Sequence, residues 1–227
     1  MTAAAVLTTA LAQRRERPGV ELAASAPDLV AAAVAMARRF RAGGVLHAFG
    51  SADADAHHIA VEFVHPAIVG KRALPAVAHG TARAAFRLRH AAPCDIALAV
   101  CDAPVPSCRD GERQRGPRAA VAARSGGTRG RTLGEGRVAA PLVPGESETS
   151  RPGEAGPVAV ALAAAGGRGL LTIALAGQFW TGPDVDHALV LPAADPLVLR
   201  ELQVSAYHLL WELTHAVLEH GPDGATP

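Results

Sequence analysis

The sequence predicts an α/β fold of three layers, α/β/α, in which helices cover both faces of a five-stranded parallel sheet. Short apolar runs alternate with helical patterns along the chain, and this alternation requires crossover connections between parallel strands. The run DIALAV at residues 95–100 is continuously apolar, which is typical of a parallel strand buried on both faces. We expect residues 1–227 to form one domain, because 49% of the residues are hydrophobic, enough for one sizeable core.

Glycine, proline and capping residues delimit the predicted elements. Asp28 suits the N-cap of a helix that Gly43 and Gly44 end, and Pro66 ends the helix that precedes it. A peripheral helix is expected over residues 2–13. The other predicted helices cover residues 28–42, 55–64, 80–91, 158–165 and 197–219, and the predicted strands cover residues 45–49, 74–78, 95–100, 170–176 and 188–191. Ligands of such sheets bind outside the carboxyl ends of the strands, so the loops after the first and third strands should border a site.

One long segment interrupts this alternation. Residues 102–156 are rich in Gly, Pro, Arg, Ser and Glu and have no sustained hydrophobic period, so we predict a disordered insertion within the domain. An arm that binds nucleic acid or other anions is the alternative interpretation. Five glutamates dilute the positive charge of the segment, which argues against that alternative.

Composition excludes several classes of function. The net charge of +1 gives no global attraction to nucleic acid or to an anionic membrane. Cys94, Cys101 and Cys108 fit no common zinc spacing, and their odd number argues against a disulfide framework, so we expect structural or incidental thiols. No apolar run reaches the roughly 20 residues that span a bilayer. Basic residues follow the apolar residues 2–12, the reverse of a signal peptide, so we expect a soluble cytoplasmic protein.

The clearest chemical signal is a group of histidines with one carboxylate. His58 and Glu62 are four residues apart on one helix face, and His208 lies on the last long helix. A carboxylate and two imidazoles suit acid/base chemistry or a metal ion, whereas a solvated Glu–His pair is the structural alternative. His65 shares the first face, so a metal held by that helix alone is a further alternative. His57 points about 100° away and is expected either to pack against a neighbour or to lie at the surface.

Four segments of the chain carry a resemblance to a known family: DAHHIAVEFVHP at residues 55–66, RALPA at 72–76, LLTIALAG at 170–177 and YHLLWELTH at 207–215. They resemble the sugar isomerase (SIS) domain family and, within it, the phosphoheptose isomerases. The resemblance covers about residues 28–101 and 157–220. It implies a flavodoxin-like strand order, binding of a phosphorylated sugar, ketose–aldose isomerisation through an enediol, and a homo-oligomer, either a dimer or a tetramer.

The resemblance also implies a zinc site of two histidines, a glutamate and a glutamine. His58, Glu62 and His208 match the first three ligands, but the glutamine position carries Arg200. A guanidinium cannot ligate zinc, so we expect zinc to bind weakly if it binds. Isomerisation needs a base beside a carbonyl and an acid/base group at the oxygens. Glu62 is the expected base and His208 the expected acid.

The expected substrate contacts are Gly50, Ser51, Asp55 and Arg200, but the phosphate loops of the family are altered here. Asp53 brings a carboxylate to the first loop, where it opposes an anion at the helix N-terminus. The second loop, after residue 100, has none of the expected hydroxyls or glycines. Two interpretations therefore stay open. One is a sugar-phosphate isomerase, and the other is an SIS-fold binding or regulatory subunit without turnover.

Overall fold

Strand pairing confirms the predicted fold class. The computed structural model describes residues 22–66, 68, 70–102, 156–193 and 195–221. These residues form five strands, which are β1 (Leu46–Gly50), β2 (Ala76–Ala78), β3 (Ile96–Val100), β4 (Leu171–Gly177) and β5 (His187–Leu191). All the pairings are parallel and the order is β2-β1-β3-β4-β5, which is the flavodoxin-like order.

The helices agree with the prediction to within three residues at each end. They are α1 (Ala26–Arg41), α2 (Asp53–Val64), α3 (Thr81–Leu88), α4 (Pro157–Gly166) and α5 (Pro196–His220). Ser25 occupies the N-cap of α1, so Asp28 lies in the first turn and is not the cap. Asp53 is the first residue of α2 and not a loop residue. Asp195 caps α5 by accepting hydrogen bonds from the next backbone N–H groups, and Pro196 follows it at a favoured position.

The sheet separates two hydrophobic cores. Helices α1, α2 and α5 cover one face and pack large side chains such as Phe63 and Tyr207 against the strands. Helices α3 and α4 cover the other face, where alanines predominate. Alternate strand residues point to opposite faces, so Ala48 enters the first core and Phe49 the second. The central strands β3 and β4 are buried throughout, as their apolar sequences require.

Glycine is required at both ends of β1, where the chain approaches β3 closely. A Cβ on Gly44 would lie 2.1 Å from the carbonyl oxygen of Cys94. A Cβ on Gly50 would lie 2.7 Å from the carbonyl oxygen of Val100. Both contacts are shorter than a side chain tolerates, so these glycines allow the two strands to pair over the whole of β1.

The described residues all belong to one compact unit of the chain. The helix predicted over residues 2–13 lies outside the described residues, and so does the predicted insertion apart from its end residues Asp102 and Gly156. No helix in the described part of the chain is long and apolar enough to cross a membrane.

Two of the three cysteines are described, and both are free thiols. Cys101 is buried at the end of β3. Burial, with a smaller contribution from Asp102, raises the pKa of Cys101 to about 12. The thiol therefore stays protonated at neutral pH and is a poor nucleophile, in agreement with the structural or incidental role expected for it.

Burial of His215 makes the stability of the fold dependent on pH. The imidazole packs against Trp211, and its Nε2 has no hydrogen-bond partner among the described residues. Burial first, and Lys71 second, lower the pKa of His215 below its ordinary value of 6.5. A lowered pKa means that the unfolded chain takes up the proton first. This contribution to stability is therefore present above pH 6.5 and is lost as pH falls below it.

We expect His215→Phe to weaken this pH dependence. The wild-type free energy of unfolding should fall between pH 7 and pH 5, and it should fall less in the variant because the variant cannot take up that proton. Urea unfolding at both pH values measures the difference. Equal pH dependence in the two proteins would contradict the expectation.

Candidate functional site

Helices α2 and α5 bring three predicted residues together. Nε2 of His58 lies 3.3 Å from Oε1 of Glu62, and Nε2 of His208 lies 3.9 Å from the same oxygen. One ligand atom from each of the three residues lies within 4.8 Å of the others. The side chains are 46%, 24% and 43% exposed in the order His58, Glu62, His208, so the group faces solvent and is open to a ligand.

Tyr207 is a member of this group that the sequence reasoning missed. Its hydroxyl lies 2.8 Å from Nδ1 of His58, which fixes the imidazole with Nε2 toward Glu62. Burial, with smaller effects of Asp55 and Glu62, raises the pKa of Tyr207 to about 12. A neutral hydroxyl can donate or accept, so it suits either tautomer of His58. The sequence signal was available, because Tyr207 is the only tyrosine and adjoins His208.

An ion pair between Arg200 and the buried carboxylate of Asp55 lies beside the group. Nη2 of Arg200 lies 2.7 Å from Oδ1 of Asp55. The other oxygen, Oδ2, is buried without a hydrogen-bond partner among the described residues. Burial raises the pKa of Asp55, Arg200 opposes that shift, and Asp102 adds to it. The guanidinium of Arg200 is therefore half exposed and is held in place by Oδ1 of Asp55, whereas Oδ2 of Asp55 stays buried.

Gly50 and Ser51 lie at the carboxyl end of β1, where a ligand was expected. The carbonyl of Gly50 accepts a hydrogen bond from the hydroxyl of Thr81. The hydroxyl of Ser51 accepts one from the backbone N–H of Asp102 at 3.0 Å, which joins the ends of β1 and β3. The carboxylate of Asp53 accepts the backbone N–H of Thr81 at 3.1 Å and so caps α3. Substrate contact at Gly50 and Ser51 stays a prediction.

Gln203 on α5 has a structural role that the sequence did not reveal. Its buried amide donates to the carbonyl of Cys101 at 2.7 Å and to that of Leu175 at 3.0 Å. These carbonyls lie at the carboxyl ends of β3 and β4, so the amide fixes α5 to the edge of the sheet. The amide N–H groups of Gln203 are therefore engaged away from the group around Glu62.

The other two histidines of α2 lie outside the group. His57 is exposed, which is one of its two expected placements, and its Nδ1 lies 2.8 Å from the carbonyl oxygen of Asp53. His65 is exposed at the C-cap of α2, where the backbone leaves the helix. Among the described residues His65 is not part of the potential metal-binding group, so a metal held by α2 alone has no support.

Comparisons with solved structures agree with this fold. No protein-family pattern and no curated protein sequence matches the chain. A phosphoheptose isomerase from Francisella tularensis is similar with a TM-score of 0.61 and 16% identity, covering 95% of this chain and 100% of that one. Phosphoheptose isomerase GmhA from Neisseria gonorrhoeae is similar with a TM-score of 0.58 and 16% identity, covering 93% and 100%.

The chain has the SIS fold of the phosphoheptose isomerases. The resemblance first indicated by four short sequence segments is thus confirmed for the fold. At 16% identity the likeness establishes the fold alone, and the roles of individual residues stay predictions.

We expect Gln203→Leu to destabilise the protein. The substitution removes two hydrogen bonds from buried carbonyls, so the free energy of unfolding should fall by about 1–3 kcal/mol. Ser205→Ala is the matched control on α5, because among the described residues its hydroxyl bonds within the helix, to the carbonyl of Glu201 at 3.0 Å. Urea unfolding of both variants measures the effect. A Gln203→Leu protein as stable as the control would show that the amide does not anchor the helix.

Proposed function

We propose that this chain binds a phosphorylated sugar and interconverts its ketose and aldose forms by proton transfer. The supporting observation is the approach of the Glu62 carboxylate to the imidazoles of His58 and His208 on a solvent-accessible face. A carboxylate can take the proton from the carbon beside a carbonyl, and an imidazole can move a proton between the two oxygens. We assign the first role to Glu62 and the second to His208.

Substrate binding is assigned to the residues around this group. Arg200 uses one nitrogen on Asp55, which leaves further N–H donors for an anionic group. Asp55 is assigned an indirect role, because its side chain is only 9% exposed and it orients the guanidinium of Arg200. Gly50 and Ser51 border the same strand end and are the remaining candidates for contact with the phosphate.

The donor set is compatible with zinc. Tetrahedral zinc ligands about 2.1 Å from the metal lie about 3.4 Å apart, and the corresponding distances here are 3.3 and 3.9 Å. Two histidines and one glutamate form a three-ligand set with an open position, as catalytic zinc sites have. The hydroxyl of Tyr207 on His58 supplies the outer contact that orients a ligand imidazole. Bound zinc would polarise the sugar carbonyl.

Binding without turnover is the second candidate function. Two carboxylates, Asp53 and Asp55, occupy the first turn of α2, where they oppose a phosphate at the helix N-terminus. The Ser51 hydroxyl already accepts a hydrogen bond from Asp102. Weaker contacts to the phosphate would reduce the positioning on which catalysis depends. In this case the chain acts as an SIS-fold binding or regulatory subunit.

We also expect the chain to form a homo-oligomer, either a dimer or a tetramer, and to be located in the cytoplasm. Phe179 is 54% exposed and Leu197 is 68% exposed. Burial of such apolar side chains in an interface would be favourable. Light scattering coupled to gel filtration gives the oligomeric state.

The decisive activity test is exchange of the carbon-bound proton of sedoheptulose 7-phosphate with deuterated water. We expect Glu62→Gln to abolish the exchange with sugar-phosphate binding nearly intact, because an amide cannot accept that proton. His208→Ala should lower turnover by roughly 10²–10⁴-fold. His57→Ala is the matched control, since this exposed neighbour lies outside the group and should leave the rate unchanged. Binding without exchange in the wild type would replace the isomerase with the second candidate.

Zinc affinity tests the metal assignment independently of activity. We expect weak zinc binding by the wild type, since Arg200 supplies no ligand and adds positive charge. Arg200→Gln should tighten zinc binding by about tenfold or more because it adds a donor and removes a charge. Arg200→Lys is the control that keeps the charge and adds no ligand at neutral pH. Zinc titration against a chelator measures the affinities, and equal affinities of the two variants would contradict the assignment.

A further inference from the structure

An open cleft lies at the edge of the sheet, beside the end of β2. Its volume is about 420 Å³, and it forms where the edge strand β2 leads into α3. The residues that line it are Val77, Ala78, His79, Gly80, Arg83 and Arg87. None of these residues belongs to the group formed by His58, Glu62 and His208.

A line of three polar side chains, Asp95, His47 and His79, ends in this cleft. The carboxylate of Asp95 accepts the backbone N–H groups of Val45 at 2.8 Å and Ala92 at 2.7 Å, and it faces Nε2 of His47 at 3.2 Å. Nδ1 of His47 lies 2.8 Å from Nε2 of His79, and the two rings are stacked. This line of side chains therefore extends from the buried carboxylate of Asp95, past β1, to the wall of the cleft.

The carboxylate of Asp95 at the buried end indicates which nitrogens of the two imidazoles carry a proton. A carboxylate only accepts hydrogen bonds, so Nε2 of His47 donates to Asp95, and in the neutral imidazole Nδ1 of His47 is then an acceptor. His79 must then donate from Nε2, which leaves its Nδ1 unprotonated. Burial first, then His47 and Arg87, lower the pKa of His79 to about 4, which keeps its imidazole neutral at neutral pH. His79 thus has one acceptor nitrogen left for a ligand that carries a proton.

Two cations face the same cleft. Arg83 and Arg87 are one turn apart on α3 and are exposed. Neither forms a salt bridge with a carboxylate in the described part of the chain. Oδ1 of Asp53 accepts hydrogen bonds from the N–H and the hydroxyl of Thr81, and Oδ2 of the same carboxylate lies 3.4 Å from the Cβ position of Gly80, so one negative charge borders the cleft beside the two cations. Two unpaired guanidiniums beside a neutral acceptor are suited to an anion that retains a proton.

We propose that this cleft is a second binding site, specific for a phosphate group that retains one proton, either inorganic phosphate or a phosphomonoester. Arg83 and Arg87 bind its charged oxygens, and Nδ1 of His79 accepts its O–H. The Asp95–His47 pair holds His79 in the accepting tautomer. This site is independent of the proposed isomerase chemistry, and failure of either leaves the other in place.

The test follows the side-chain nitrogen signals of His79 by NMR, which report on this cleft and not on the group around Glu62. The probes are inorganic phosphate, glycerol 3-phosphate and sulfate at pH about 6.5, where a phosphomonoester with a second pKa near 6 is still partly protonated. We expect both phosphates to shift the His79 signals saturably. Sulfate has no proton to donate, so it should bind about tenfold more weakly or worse. The tighter of the two phosphates identifies the class of occupant.

Variants on α3 test the contribution of the cations. Arg83→Gln/Arg87→Gln should weaken phosphate binding by about tenfold or more, because it removes the charge-assisted hydrogen bonds. Arg89→Gln removes an equally exposed arginine from the end of the same helix, outside the cleft, and should leave the affinity within about twofold. No saturable shift, equal binding of sulfate and phosphate, or equal losses in the two variants would each overturn the proposal.

Discussion

The attachment of α5 to the carboxyl edge of the sheet is the constraint on which the candidate site depends. His208 and Tyr207 reach α2 only if α5 crosses the ends of the central strands at a fixed height and rotation. The buried amide of Gln203 provides this fix, because it joins the carbonyls at the ends of β3 and β4. These carbonyls would otherwise be buried with fewer hydrogen bonds, so moving the helix would cost free energy.

The site that results combines reactive groups with an unusual electrostatic setting. Glu62 lies between two imidazoles, an arrangement that serves proton transfer or metal binding equally well. Arg200 stands where the family resemblance implies a glutamine, and it is paired with the buried carboxyl of Asp55. On the proposed assignment, a fixed cation takes the place of a neutral metal ligand. Such a change would favour binding of an anion and lower metal affinity, so binding and turnover have to be measured separately.

The same sheet supports two polar regions by different means. Around Glu62, the side chains come from two helices and are held by the packing of α2 against α5. In the cleft beside β2, a line of short contacts joins the carboxylate of Asp95 through His47 to His79. Asp95 is itself held in place, because its buried carboxylate accepts hydrogen bonds from two backbone N–H groups. Each region therefore has its own source of order.

The sequence by itself determined the fold class, the order of the elements to within a few residues at each end, and the helix face that carries His58 and Glu62. Alternating apolar runs and i, i+4 spacing are local patterns, and local patterns can be identified along a chain. It was wrong about Asp28 and Asp53, since the exact start of a helix depends on competing caps. Tertiary structure alone decided the partners, because His58 and Tyr207 are 149 positions apart and His47 and Asp95 are 48 apart, and only packing sets such distances.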